Sequence, residues 1–198
     1  MTRPRTQKKN DFKRGFKTWA DNTAVELRTK LGLSPHSPLC AFDLCKVLNV
    51  PVLEPSQING ITNQDLSILS TESSHWSAAT IPLHEGNYLI IHNPTHSPAR
   101  QQSNLMHEIA HILCEHEVSQ KTIETGLSGF LRNHDEQQEN EAEWLGSCLQ
   151  LPRPALIWAL KQQMSQTDIS NHFNASEEMV RYRINITGVK AQMSKWRY

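Results

Sequence analysis

The sequence lacks any run of about 20 apolar residues, which is the length that an α-helix needs to cross a bilayer. Residues 1–9 are basic and polar, and the apolar core of a secretory signal does not follow them. The 20 lysines and arginines balance the 20 aspartates and glutamates, so no net charge attracts the chain to nucleic acid or to an anionic membrane. These absences predict a cytoplasmic protein with no membrane partner.

Cysteine is also scarce, and its positions are scattered. The chain has four cysteines, at Cys40, Cys45, Cys114 and Cys148, and no two of them form a CxxC pair. Their neighbours are apolar, so we interpret them as reduced thiols packed in the core and do not expect a disulfide framework. A domain of this length can bury a sizeable core without such cross-links.

One short segment indicates a chemistry directly, and it is His107-Glu108-Ile109-Ala110-His111. Residues four apart lie on the same face of an α-helix, so both imidazoles can reach one metal ion while Glu108 approaches a ligand on that metal. This is the arrangement of zinc proteases. From the chain's histidine and glutamate content, about 0.03 to 0.04 chance occurrences of this pattern are expected in a chain of this length. The alternative is a pair of histidines packed in the core.

A catalytic zinc has three protein ligands, so a third should follow. The acidic run at residues 135–143 leads into an amphipathic helix that Pro152 ends. At about 100° per residue, Glu141 is nearest the apolar face, Glu139 is roughly 100° from its centre and Glu143 points to solvent. That face is formed by Ala142, Leu145, Cys148 and Leu149. A carboxylate there needs a partner, so we predict Glu141 as the third ligand and keep Glu139 as the alternative.

Residues 141–152 resemble the E-A-N-x-F-A-x-x-L-L-M-P block of the ImmA/IrrE metallopeptidases. The strands that precede the family's active-site helix are similar to residues 77–81 and 88–93 of this chain. The stretch that leads into that helix is similar to residues 97–100, and the family's C-terminal helix is similar to residues 179–188. The resemblance extends from about residue 19 to residue 188. The departures are at Glu143, Leu145, Gly146, Ser147 and Gln150, and we expect them to loosen the packing of the helix rather than alter the chemistry.

The resemblance implies a zincin-like α+β fold, mostly helical, with a small, mainly antiparallel sheet and a C-terminal helix pair. It also implies that the protein is a zinc endopeptidase that cleaves a helix-turn-helix repressor encoded nearby, in phages, mobile elements or stress-response systems. An edge strand of the sheet would align an extended substrate by strand addition. Either residues 77–81 or residues 88–93 can supply that edge.

The expected mechanism assigns a role to each residue. Zn²⁺ held by His107, His111 and Glu141 lowers the pKa of its water towards neutrality, and Glu108 takes the proton as that water attacks a peptide carbonyl. Glu108 then returns the proton to the leaving amine. Candidate donors to the carbonyl oxygen are Tyr182, His134 and Arg181. For His92, His96 and His116 we expect ordinary polar roles.

We predict a basic, flexible tail at residues 1–15, one metallopeptidase domain at residues 16–188 and a second tail at residues 189–198. The first helix of that domain spans residues 16–31, with Gly32 ending it. Its predicted buried face is formed by Trp19, Thr23, Leu27 and Leu31. A second helix at residues 40–48, a strand at residues 50–53 and a sheet within residues 58–93 follow.

The main alternative concerns residues 166–188, which resemble a helix-turn-helix. Ser176 is the predicted N-cap of the second helix, and Glu177 and Glu178 occupy its first turn. A recognition helix reads bases from its start, where these two acids would instead repel phosphates. We therefore assign the pair to the protease domain and do not expect direct nucleic-acid binding. The competing function is a non-proteolytic regulatory or DNA-binding protein in which zinc is structural.

Overall fold

The computed structural model describes residues 12–60, 62, 76–116 and 135–195. Within these residues the chain forms eight α-helices: α1 (Phe16–Lys30), α2 (Ala41–Val47), α3 (Pro98–Leu113), α4 (Glu136–Gln150), α5 (Arg153–Lys161), α6 (Gln166–Phe173), α7 (Glu177–Thr187) and α8 (Val189–Lys195). The three strands are β1 (Val52–Leu53), β2 (Ala78–Pro82) and β3 (Tyr88–His92). This is the mostly helical α+β fold predicted. None of the helices in the described part of the chain has the length and apolarity to span a bilayer.

The sheet has the order β1-β3-β2. β3 pairs antiparallel with the whole of β2, with Ala79 opposite Ile91, and pairs in parallel with the short β1, with Val52 opposite Ile90. The sheet is therefore mixed, and its longer pairing is antiparallel. Because β3 is central, β2 is the edge among the described strands that lies next to α3.

Helix α1 begins and ends close to its predicted bounds, but it buries a different face. The fully buried apolar residues are Ala20 and Ala24, with Leu27 nearly so, whereas Trp19 is 40% exposed. The prediction of a face that includes Trp19 was therefore wrong. Small alanines let the backbone of α1 approach α4, where a bulky indole would hold the two helices apart.

The helices α3 and α4 pack against each other, and Gly146 lies at their point of close approach. A Cβ atom at this position would be 3.0 Å from the carbonyl oxygen of Met106 and 3.2 Å from the backbone nitrogen of His107. Gly146 therefore brings the two helices closer, which is the opposite of the loosening expected from the sequence. The contact is made at the backbone of His107 itself.

We expect Gly146→Val to destabilise the protein by about 1–3 kcal/mol, because the new side chain must push α4 away from α3. Urea unfolding of the two proteins measures the difference. Glu143→Val is the matched control, since it places the same β-branched residue at an exposed position of α4 and costs only about 0.5 kcal/mol in helix propensity. Equal losses in both variants would contradict a packing constraint at Gly146.

Two buried arginines connect α1 to the C-terminal half of the fold. Arg28 on α1 donates a hydrogen bond of 2.8 Å to the carbonyl oxygen of Leu149 near the end of α4, and burial lowers the pKa of this guanidinium to about 10. Arg183 on α7 donates to the carbonyl oxygen of Leu151 at 2.9 Å and to Asp21 on α1 at 3.3 Å. These bonds satisfy carbonyl groups that the end of α4 leaves unpaired.

The C-terminal helix pair follows the predicted pattern. The Ser176 hydroxyl accepts a hydrogen bond of 3.1 Å from the Met179 backbone, which makes Ser176 the N-cap of α7. Ile169, Phe173 and Val180 of the pair are buried in a second apolar core with α5. The pair therefore packs against α5 in this second core.

Parts of both predicted tails belong to the described structure. Residues 189–195 form α8, because Val189 is fully buried in the second core and Arg153 donates to the carbonyl oxygen of Thr187 at 2.8 Å just before it. At the other end, the Phe12 ring lies 5.2 Å from the rings of both Phe16 and Trp144. Residues 1–11 and 196–198 lie outside the described part of the chain.

Candidate metal centre

Helix α3 presents the two histidines because its opposite face is apolar. Pro98 occupies the first helical turn, where the missing N–H costs nothing. Leu105, Met106, Ile109 and Ala110 are all fully buried in the main core. This burial fixes the rotation of the helix, and it leaves the side chains of His107 and His111 at 32% and 20% exposure beside the first turns of α4.

Three side chains converge at this position. The Nε2 atoms of His107 and His111 are 3.1 Å apart. The Glu139 carboxylate places one oxygen 3.3 Å from Nε2 of His107 and the other 3.4 Å from Nε2 of His111. The three residues form a group that can hold a metal ion.

These separations fit a zinc ion. Zinc bonds to histidine nitrogen and carboxylate oxygen measure about 2.0–2.2 Å, so adjacent ligand atoms of a tetrahedron lie roughly 3.3–3.6 Å apart. The observed distances of 3.1, 3.3 and 3.4 Å are close to this range. Two imidazoles and one carboxylate are also a donor set that catalytic zinc sites use.

Glu141, the third ligand predicted from the sequence, is not in this group. Its Oε2 atom lies 3.3 Å from Nε2 of His116, and its Oε1 atom accepts a hydrogen bond of 3.1 Å from Gln137. Glu141 is 9% exposed and does have a partner, as expected for a carboxylate at the apolar face. The partner is a histidine beside the site, and the structure brings Glu139, the alternative, to His107 and His111.

The start of α4 orients Glu139. The Asp135 side chain accepts hydrogen bonds from the backbones of Gln137 at 2.8 Å and Gln138 at 3.4 Å, so Asp135 is the N-cap of the helix. Glu139 lies in the first turn, held between this cap and the close contact at Gly146 two turns later. The carboxylate is therefore presented by a rigid helix.

Glu108 has a partner from the sheet. The Thr80 hydroxyl, on the edge strand β2, donates a hydrogen bond of 2.6 Å to Oε2 of Glu108. Both residues are partly buried. Thr80 was not singled out in the sequence, where it lies 28 positions before Glu108 in a stretch interpreted only as a strand.

The metal centre has an anionic environment. Burial disfavours the charged form of His107, but the hydrogen bond that His107 donates to Glu139 and the charges of Glu108, Glu139 and Glu143 outweigh burial, so the pKa of His107 is raised. An environment that stabilises an imidazolium also stabilises a divalent cation. A metal ion held by this nitrogen would therefore compete with the proton.

His116 is not in the converging group, but it contacts one of the three residues of that group. Its Nδ1 atom lies 2.9 Å from Nδ1 of His111. Burial lowers the pKa of His116, and the neighbouring His111 lowers it further, although Glu141 acts in the opposite direction. This contact was not predicted from the sequence, where His116 has only an ordinary polar role, because the chain turns sharply after α3.

The other histidines near α3 have polar or aromatic neighbours. The His92 ring lies 5.4 Å from the Phe42 ring in an edge-on arrangement, and Nδ1 of His96 is 3.2 Å from the Asn104 amide. Burial lowers the pKa of both histidines. His134 lies outside the described part of the chain.

The candidate donors on α7 differ in accessibility. Arg181 is exposed and Tyr182 is half-buried, and burial raises the pKa of Tyr182 with a contribution from Glu143. Neither residue is assigned a role by this geometry. Arg183, which a DNA-reading helix would present to solvent, is fully buried, while Glu177 and Glu178 are exposed. This surface disfavours contact with phosphates.

Comparison with known proteins finds a matching family and solved structures with a similar fold. The model of Peptidase_M78, described as an IrrE N-terminal-like domain, matches residues 57–185. A solved structure of a Mycobacterium tuberculosis transcriptional regulator superposes with a TM-score of 0.50 at 11% sequence identity over 88% of this chain, and this similarity concerns the fold alone. The chain spans about half of that structure, covering 48% of it. Comparison with curated sequences finds no match.

Proposed function

Since the chain belongs to the Peptidase_M78 family of IrrE N-terminal-like domains, we propose that it is a zinc-dependent endopeptidase that cleaves a partner DNA-binding repressor. A metallopeptidase type of function follows from the family. The observation that carries the proposal is the convergence of His107, His111 and Glu139 within 4.8 Å of one another, with Glu108 following His107 on the same helix. A structural site would close its fourth position, whereas among the described residues three candidate ligands converge, which leaves one position for chemistry.

In this proposal His107, His111 and Glu139 hold the zinc ion. When bound, zinc lowers the pKa of water towards neutrality and polarises the peptide carbonyl. Glu108 is the general base, and its carboxylate takes a proton from the attacking water as a new C–O bond forms at the carbonyl carbon. Glu108 then gives that proton to the amide nitrogen, and the C–N bond breaks to release the amine.

The edge strand β2 is the proposed guide for the substrate. Thr80 on this strand contacts Glu108, so the strand borders the proposed reaction site. An extended peptide added alongside β2 would present its carbonyl groups towards α3 through main-chain hydrogen bonds. The family resemblance supports this placement.

We expect Thr80→Val to slow peptide cleavage roughly tenfold without loss of zinc, because a hydrogen bond to a charged group contributes about 1.5–3 kcal/mol and here orients Glu108. The substitution is nearly isosteric, and steady-state kinetics with a zinc analysis of the same preparation measures both effects. Thr29→Val removes an exposed hydroxyl that bonds the Val25 carbonyl oxygen on α1, so it is the matched control. A Thr80→Val variant with the wild-type rate would contradict the positioning role.

The partner is proposed to be a helix-turn-helix repressor encoded nearby. The test mixes the zinc-loaded protein with that purified repressor and follows the intact masses over time. Wild type should shorten the repressor and Glu108→Gln should leave it intact under the same conditions. A repressor that binds the wild type but keeps its full mass would instead support a sequestering protein with structural zinc.

A further inference from the structure

The end of α3 folds the chain back onto the metal centre. Glu115 has a left-handed backbone with φ of 54°, its N–H donates to the carbonyl oxygen of Ile112 at 3.1 Å, and the N–H of His116 donates to the carbonyl oxygen of His111 at 3.1 Å. This pair of bonds is a Schellman motif, in which glycine is the usual left-handed residue. Here a glutamate adopts that conformation, and the turn brings His116 to the Nδ1 side of the His111 ring.

The contacts then continue in a line from the metal centre. His111 directs Nε2 towards His107 and Glu139, and its other ring nitrogen, Nδ1, lies 2.9 Å from Nδ1 of His116. The second nitrogen of His116, Nε2, lies 3.3 Å from Oε2 of Glu141. The His116 and Glu141 side chains are only 7% and 11% exposed, so water competes little for these bonds.

One arrangement of protons satisfies every atom in this line. If Nε2 of His111 offers its lone pair to a metal, Nδ1 of His111 carries the hydrogen and must donate it. His116 then accepts at Nδ1, so its own hydrogen is on Nε2 and is donated to the Glu141 carboxylate. Both rings are neutral in this arrangement, and Glu141 is the final acceptor.

We propose that His116 and Glu141 are positioning residues for the metal ligand His111, holding its ring in the tautomer and orientation that binds zinc. Ligand histidines usually donate their second ring nitrogen to such a partner, and losing that partner weakens metal binding about 10- to 100-fold. This inference rests on the proposed zinc site, and it gives Glu141 a role distinct from that of Glu139.

The test compares the zinc affinities of His116→Leu and His116→Asn by competition with a chelating dye. Leu and Asn have nearly the same shape, but only the Asn oxygen can accept a hydrogen bond near the position of Nδ1. His116→Leu should bind zinc about 10- to 100-fold more weakly than wild type, and His116→Asn should recover most of the loss. Glu115→Gly keeps the turn and should bind zinc like the wild type.

A second measurement observes the tautomer directly. Nitrogen-15 NMR of the metal-free ring nitrogens should show His111 with its hydrogen on Nδ1 in wild type and as a tautomer mixture in His116→Leu. Thermal unfolding of the metal-free variants tests whether a general packing defect explains the result.

The outcomes separate this inference from the proposed function. Equal weakening of zinc binding in His116→Leu and His116→Asn, or an unchanged His111 tautomer in His116→Leu, would overturn the positioning role. The proposed function would still stand in that case, provided that the wild type binds zinc. Loss of zinc in Glu141→Gln as complete as in Glu139→Gln would also overturn it, because the amide oxygen that replaces the Glu141 carboxylate can still accept from His116. Wild type that binds no zinc would overturn both proposals.

Discussion

We expect Glu139→Gln to weaken zinc binding by at least about a hundredfold, because removing a ligand should cost more than the 10- to 100-fold typical of removing a group behind one. Glu139 supplies the one carboxylate in the converging group, with its two oxygens 3.3 and 3.4 Å from the two histidines. The amide of Gln keeps the size of the side chain but removes the negative charge that favours the cation. Elemental mass spectrometry and chelator competition measure the change.

Glu143→Gln is the matched control for this prediction. It makes the same substitution one turn further along α4, at an exposed position, and removes the same charge from the chain. Its zinc content should stay near that of the wild type. Retention of full zinc affinity in Glu139→Gln, or an equal loss of zinc affinity in Glu143→Gln, would contradict the assignment of Glu139 as a ligand.

We expect Glu108→Gln to retain zinc and to lose at least about a hundredfold in cleavage rate, since general acid–base catalysis contributes roughly 10²–10⁴-fold. The amide keeps a group of the same shape beside Thr80, so the fold should be preserved, but it cannot accept the proton from water. The rate of appearance of a cleaved peptide, together with the zinc content, distinguishes a lost base from a lost metal.

The Glu108→Gln result also tests whether Glu108 is the general base. Zinc-replete protein that cleaves at the wild-type rate would show that Glu108 is not the base. The exposed Glu26→Gln on α1 is a suitable control, because its position lies on another helix and its substitution removes an equal charge. It should cleave at the wild-type rate.

The local pattern of the sequence predicted most elements of the described fold. Apolar periodicity predicts α2, the helix around His107 and the C-terminal helix pair. Caps and breakers give the ends of two helices, because Ser176 begins α7 and Pro152 follows the end of α4. The face of α1 was mispredicted, because a large apolar residue such as Trp19 carries more weight in a periodic pattern than Ala20 or Ala24. Close packing between helices favours the small residues.

The proposed chemistry could be predicted from the sequence, because His107, Glu108 and His111 are neighbours on one helix and their relative geometry needs no tertiary information. The choice of Glu139 over Glu141 as the proposed third ligand could not, because it rests on which carboxylate the fold brings to the two histidines. Both carboxylates are within one turn of α4, and which one reaches the histidines depends on how α4 is set against α3 at Gly146. The contacts of Thr80 with Glu108 and of His116 with His111 likewise depend on the path of a strand and on a turn, which helical periodicity does not encode.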